Sequence, residues 1–334
     1  MVHGPSRAAA LVSTRWLQHQ MQRGSKRLRL LDATFYAAKD GKPDYLQKHI
    51  PGALFYDTHH CVRPTPHIPR NVPELRCYSE YLQSLGVNEN SHVVFYDRNA
   101  MRSAARGWWT LRLHGHPWVS VLHGGLVQWE HEGREVTDKL PEDPPRGNFK
   151  VNFQPDLLRH YENIEKFATS HSEEQLLDVR KYKDFIGDTT EPTGSTIKAC
   201  EYYNQPVPEP GSMSHGCVPG SHNLHVDSVY ADKDEVLFKQ PAEMELLFQD
   251  AGVDLTRPLT TMCYTGMTAC VMDRVGTEGQ PRQMCGAQPG YASQAGRLDQ
   301  SVLSGCLVTC QSLSTAFTGS ENKLIPKVVI TLYH

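Results

Sequence analysis

Cys263 opens the run Cys263-Tyr264-Thr265-Gly266-Met267-Thr268-Ala269-Cys270. An apolar stretch, Pro258 to Met262, leads into it, and the residues that follow through Val275 have helical character. A strand, a tight loop and a helix in that order gather backbone N–H groups around one point and turn a helix start towards it. Both effects favour an anion, so a sulfur placed there is suited to act as a thiolate nucleophile. Gly266 permits the tight path, and the hydroxyls of Thr265 and Thr268 are hydrogen-bond donors. A lone cysteine at a strand end is more often an inert core residue. Phosphate-ester chemistry is disfavoured, because a C-x5-R loop needs an arginine where Ala269 stands.

The elements that must position this cysteine occur twice in the chain. Leu30-Leu31-Asp32 ends one apolar strand and Leu176-Leu177-Asp178 another. His49-Ile50-Pro51-Gly52-Ala53 is answered by Cys217-Val218-Pro219-Gly220-Ser221, and Leu85-Gly86-Val87 by Ala251-Gly252-Val253. The strand His92 to Tyr96 is answered by Pro258 to Met262, which sets Asp97 opposite Cys263. Three of the four anchors keep nearly one offset. The jump after the first places an insertion in the second half, between Asp188 and Ser214, where Pro, Gly, Ser and Tyr crowd together. One copy with a cysteine and one without is what a duplication with a single reactive site would leave.

Each unit reads as α/β, a parallel sheet flanked by helices. In the first, a helix over Ser103 to His114, a strand over Trp118 to Leu122, the turn His123-Gly124-Gly125 and a helix through Trp129 follow in order. The second does not close in this way. The window matching that strand and helix, Met284 to Ala295, has two glycines, a proline and no β-branched residue, so it is unsuited to pair as an inner strand. The expected division is a first domain over 10–140, a linker over 141–152, a second domain over 153–275 and an atypical, poorly ordered tail over 276–334. The second domain is expected to be incomplete at its C-terminal end, with Val302 to Val308 a partial replacement for the missing strand.

Composition excludes several classes. Thirty-four basic against 37 acidic residues give a net charge of -3, and a sequence-blind nucleic-acid binder needs a basic excess. Apolar residues at 39% and charged residues at 21% are globular values. No apolar run reaches the roughly 18 residues that a membrane span needs. The nine cysteines are odd in number and form no C-x-x-C, and no secretory signal opens the chain, so a disulfide framework is not expected and a reducing compartment is. The cytoplasm fits. The basic, acid-free stretch before Leu31 leaves a mitochondrial address open.

Taken together, these segments resemble the two-domain rhodanese-type sulfurtransferases, the thiosulfate and 3-mercaptopyruvate family. The resemblance is carried by Val12-Ser13-Thr14-Arg15-Trp16-Leu17, Leu31-Asp32-Ala33, the two Pro-Gly turns, Ser103-Ala104-Ala105-Arg106-Gly107-Trp108-Trp109, Gly124-Gly125 with Trp129, Asp178-Val179-Arg180 and the Cys263 loop. It implies two like domains with the reactive cysteine only in the second. It implies no cofactor and no metal. The partners implied are a small-molecule sulfur donor and a thiol acceptor such as thioredoxin, or cyanide, and no nucleic acid or membrane. Cys263 would take a sulfur atom as a persulfide and pass it on. Arg180 would hold the donor's carboxylate, and Tyr264, Gly266, Met267 and Thr268 would line the donor. Thr265, at the place of a catalytic serine in mercaptopyruvate enzymes, and the absence of a basic residue from the loop tilt the choice to 3-mercaptopyruvate. Ile186, apolar where those enzymes carry a second arginine, tilts it to thiosulfate. A proton relay in the family adds a histidine and an aspartate from the first domain. His67 is the expected histidine, and the aspartate's place falls on His59, with Asp57 nearby. The unfinished second domain keeps two further readings open, a binding protein without turnover and an unstable isoform.

Two side-chain groups receive structural readings. His215, Cys217, His222 and His225 match no usual zinc spacing and are expected to pack in loops. Arg102 and Arg106, ahead of the Trp108-Trp109 pair, are expected to pin an interface.

Overall fold

The computed structural model describes residues 8–36, 39–63, 70–169, 173–188, 216–231, 236–275 and 327–328. The first sheet is built from β1 (Leu11–Val12), β2 (Leu28–Asp32), β3 (Leu54–Phe55), β4 (His92–Tyr96) and β5 (Val119–Leu122), in the order β1-β5-β4-β2-β3. Every pairing is parallel, so each connection crosses over, chiefly through α1 (Thr14–Gln22), α2 (Lys42–Gln47), α3 (Leu75–Ser84) and α4 (Arg102–Leu113), with α5 (Gly125–His131) closing the unit. The period of two along the strands sorts the core into layers. Leu31, Val93 and Phe95 enter one apolar cluster, and Leu30, Val94 and Tyr96 another on the opposite face.

The second sheet repeats the plan with β6 (Gln175–Asp178), β7 (His222–Asn223), β8 (Leu259–Met262) and β9 (Lys327–Val328), in the order β7-β6-β8-β9. Its helices are α6 (Tyr161–Thr169), α7 (Tyr182–Ile186), α8 (Pro241–Asp250) and α9 (Ala269–Val275). The duplication read from the sequence is visible bond by bond. Gly52 and Gly220 both take positive φ, at 77° and 80°. Each lies in a turn closed by the same hydrogen bond, Ala53 N to Ile50 O and Ser221 N to Val218 O, both 3.0 Å. A residue with a Cβ would be strained at either glycine.

Among the described residues the second sheet is the smaller, four strands against five. Beside β8, at the place of β5 in the first sheet, stands β9, paired in parallel with Thr260 and Thr261. The strand at that place therefore comes from near the end of the chain. The window 284–295 and Val302 to Val308 lie outside the described residues, as does most of the insertion between Asp188 and Ser214. The linker is not a detached tether. Gly147 N bonds Gln83 O at 2.8 Å, Phe149 N bonds Val87 O at 3.1 Å and Asn152 N bonds His114 O at 2.9 Å, so it lies along the ends of α3 and α4.

One expectation is corrected. Cys61 and Cys77 form one disulfide across a separation of 16 residues, where no disulfide framework was expected. An odd cysteine count argues against a fully paired framework but not against one bridge. What joins the pair is tertiary: the chain leaves β3, loops out and returns at the start of α3. Glu74 N bonds Cys61 O at 3.0 Å and the Glu74 carboxylate caps the helix at Arg76 N and Cys77 N. No spacing rule shows that return.

Candidate active site

Cys263 follows β8 directly and is 3% exposed. Its Sγ accepts the Gly266 N–H at 3.0 Å, and Gly266 reaches that position with φ 73°. Cys270, in the first turn of α9, donates its S–H to Gly266 O at 2.9 Å. The Thr261 hydroxyl bonds Ala269 O at 3.0 Å, which ties the start of the helix to the strand. A strand end, a loop amide on sulfur and a helix start are thus gathered as the sequence predicts.

The sister loop carries a carboxylate at the matching place. Asp97 occupies the matching place, and its carboxylate accepts from Asn99 N and Met101 N at 2.9 Å, Ala104 N at 2.8 Å and the Ser103 hydroxyl at 2.9 Å. The first unit's loop turns three of its amides onto its own carboxylate. In the second unit a sulfur stands there instead.

Arg180 sits at the end of β6, one strand from Cys263. Its Nε and Nη2 grip both oxygens of Asp178 at 2.5 to 2.9 Å, and Nη2 also donates to Gly216 O at 2.7 Å. The guanidinium carbon lies 5.0 Å from the centre of the Tyr264 ring, a cation–π contact that brings a fixed positive charge to the Cys263 loop. Burial raises the Tyr264 pKa above its ordinary value, with Arg180 opposing, so the phenol stays protonated near neutral pH. Met267 is buried, whereas Thr265 and Thr268 are partly exposed.

His67 lies outside the described residues. The residue that meets the Thr265 hydroxyl is Arg70, whose Nη1 donates at 2.9 Å. It was not singled out from the sequence, because its segment carries none of the repeat's matched motifs and nothing in its spacing points to Cys263. Two first-unit groups hold it: Arg106 donates to the carbonyls of Arg70 and Asn71, both at 3.2 Å, and the Phe35 ring lies 4.8 Å under the guanidinium. His59 packs edge-on against the same Phe35 ring. Burial, then Arg70 and Arg106, hold its pKa well below the ordinary histidine range. It stays neutral at physiological pH.

Arg102 pins the two units as expected, bonding Asp227 at 2.5 Å. Arg106 instead pins the Arg70 segment within its own unit. Among the described residues, the one group of three donors close enough for a metal is His60, Cys61 and Cys77, and the disulfide uses both sulfurs. His222 bonds Ala251 O and His225 faces Asp227, while His215 lies outside the described residues. A cleft of about 200 Å³ between Trp16, His92 and Trp118 belongs to the first unit alone and holds none of these groups.

Residues 13–132 match the model of the Rhodanese-like domain. The chain is 34% identical over 268 residues to thiosulfate sulfurtransferase of Mus musculus, covering 78% of this chain and 83% of that one. It is 32% identical over 273 residues to 3-mercaptopyruvate sulfurtransferase of Homo sapiens, covering 80% and 85%. The chain belongs to the rhodanese family of sulfurtransferases. Its fold is similar to that of SseA from Escherichia coli, a 3-mercaptopyruvate sulfotransferase, with a TM-score of 0.66 at 24% identity over 80% of this chain and 93% of that one. A sulfur transferase subunit of yeast mitochondrial complex I gives the same TM-score at 26% identity, over 80% and 88%. The family's two-unit α/β plan is the one described above, and no helix among the described residues is long and apolar enough to cross a membrane.

Proposed function

We propose that this sulfurtransferase works through a persulfide on Cys263. The observation that carries the reading is the contrast between the two loops: the same amide-lined turn holds a carboxylate at Asp97 and a sulfur at Cys263. The division of labour is a non-catalytic domain over 10–140, a linker over 141–152 and a catalytic domain over 153–275. The Cys263 thiolate attacks the sulfur of the donor. With thiosulfate, the S–S bond breaks and sulfite leaves with the electron pair. With 3-mercaptopyruvate, the C–S bond breaks, the carbon takes up the thiol's proton and pyruvate leaves. Either way Cys263 becomes a persulfide anion, which the loop amide at Gly266 stabilises as it does the thiolate. A thiol acceptor such as thioredoxin, or cyanide, then takes the outer sulfur and restores the thiolate.

Arg180, held in place by Asp178, is the cation for the donor's anionic end. A guanidinium already pinned loses little further freedom on binding. Tyr264, Gly266, Met267 and Thr268 line the donor, and Thr265 hydrogen-bonds it. The test is incubation with each donor followed by mass-spectrometric mapping of persulfides. The added sulfur is expected on Cys263. Label on Cys270 or Cys217 with Cys263 bare would refute the reading.

A further inference from the structure

The Cys263 loop has no basic residue of its own between Cys263 and Cys270. A cation reaches it from the first unit. Arg70 is 6% exposed, is clamped by Arg106 through its backbone carbonyl and by Phe35 through its guanidinium, and places Nη1 2.9 Å from the Thr265 hydroxyl oxygen. Arginine donates only and does not lose its proton in a protein. The Thr265 oxygen must therefore accept from Arg70, and its own O–H is left to donate to another group. A threonine so held is a fixed donor in the Cys263 loop, and Arg70 cannot take a proton from it. The loop also meets Arg180 at Tyr264, but that charge is paired with Asp178, so Arg70 at Thr265 adds the cation that the loop lacks.

We propose that Arg70 determines donor specificity at the Cys263 site, fitting it to a doubly charged sulfur donor of the thiosulfate kind in preference to a singly charged α-keto carboxylate. The proposal rests on the persulfide reading for its chemistry, but not for the binding of the anion. A fixed cation attracts a dianion more strongly than a monoanion in a partly buried site, and the charge that the loop lacks is supplied across the interface. This reverses the preference that the loop's composition alone suggests.

The experiment compares Arg70→Gln, Arg70→Lys and Arg70→His with the parent, each checked for an unchanged thermal melt. With thiosulfate and 3-mercaptopyruvate as donors, the Gln variant is expected to lower the ratio of their kcat/KM values about tenfold, mainly through KM for thiosulfate. The Lys variant, which keeps the charge, should recover part of it. In the His variant the thiosulfate preference should return as the pH falls through the imidazole's titration and fade above it. Thiosulfate binding to Cys263→Ser, with and without Arg70→Gln, is measured by calorimetry and needs no turnover. A tenfold weaker affinity is expected in the double variant, with pyruvate binding little changed. Equal losses for both donors, or a Lys variant no better than Gln, would overturn the assignment and make Arg70 structural. Should no donor turn over while the calorimetric difference is present, the persulfide reading fails and the Arg70 assignment stands. A persulfide on Cys263 with no calorimetric difference upholds the persulfide reading and overturns the Arg70 assignment.

Discussion

At the scale of single residues, the site depends on buried charges held by one another. Asp178 is fully buried, and the cation that compensates it is Arg180, itself 5% exposed. Removing the arginine alone leaves a carboxylate without its ion pair in the core, a loss of about 3–5 kcal/mol. Arg180→Ala is therefore expected to lower the melting temperature sharply, and its kinetics report instability as much as substrate binding. The double variant Asp178→Asn/Arg180→Ala separates the two effects. It should melt closer to the parent than Arg180→Ala does, while KM for an anionic donor stays raised at least tenfold. A double variant with the parent's KM would show that Arg180 only braces Asp178. The residues of this site differ in how they could be read beforehand. Cys263, Asp97, Asp178 and Arg180 stand on repeated strand ends, so one copy reports on the other. Arg70 reaches Thr265 from a loop that carries none of the repeat's matched motifs, across 195 positions of sequence, and only the folded contact reveals it.

The elements of the first unit are secured by two devices with different dependence on conditions. The Cys61–Cys77 disulfide closes the segment that carries Arg70 and leads into α3. In the chain-entropy account, a loop of this length contributes roughly 3 kcal/mol. Reduction is expected to lower the melting temperature of the parent, whereas Cys77→Ser should start low and show no further shift with reductant. The second device is His114, at the C-terminal end of α4, fully buried against Tyr78 with its Nδ1 2.6 Å from Thr110 O. Burial pushes its pKa down to about 4, with the hydrogen bonds to Thr110 and Pro73 opposing. The unfolded chain's histidine takes up a proton below about pH 6.5, while the folded one stays neutral down to about pH 4. The stabilisation is thus fully present above pH 6.5 and is lost as the pH falls through that window, at about 1.4 kcal/mol per pH unit. Urea midpoints at pH 7 and pH 5 should differ by more in the parent than in His114→Gln. Equal differences would count against a neutral His114. The helix over Arg102–Leu113 was legible to within a residue at each end. Its burial of a histidine was not, because the periodicity marks apolar faces and says nothing of a polar side chain buried inside one.

At the scale of the whole molecule, the sequence shows two copies but not how they share a core. One apolar cluster runs without a break from Phe95, Trp109 and Leu111 of the first unit to Leu177, Leu224, Cys263 and Met272 of the second. Helix α4 packs on α9 at its centre, so the helix that follows Cys263 rests on the helix that follows Asp97. Around this cluster stand polar ties, Tyr230 OH to Ala100 O at 2.6 Å, Phe238 N to His123 Nε2 at 3.0 Å, and the Arg102–Asp227 pair. By contrast, the outer face of the second sheet buries Ile164, Leu176 and Met262 among the described residues, with Phe167 and Val218 packed against them. Among the described residues, much of the second unit's apolar burial lies in the cluster that it shares with the first. Domains of like fold that merely touch unfold one after the other, whereas domains that share a core unfold together. Calorimetry is expected to show one transition for the intact chain, with calorimetric and van't Hoff enthalpies agreeing. Asp227→Asn should shift it little, since both partners of that ion pair remain about one-third exposed and such pairs are worth about 0–1 kcal/mol. Met272→Asp, which sets a charge against α4 in the middle of the cluster, should instead destabilise the second unit first, splitting the transition and abolishing sulfur transfer. Two transitions in the parent would mean that the cluster is a contact surface and that each unit stands alone.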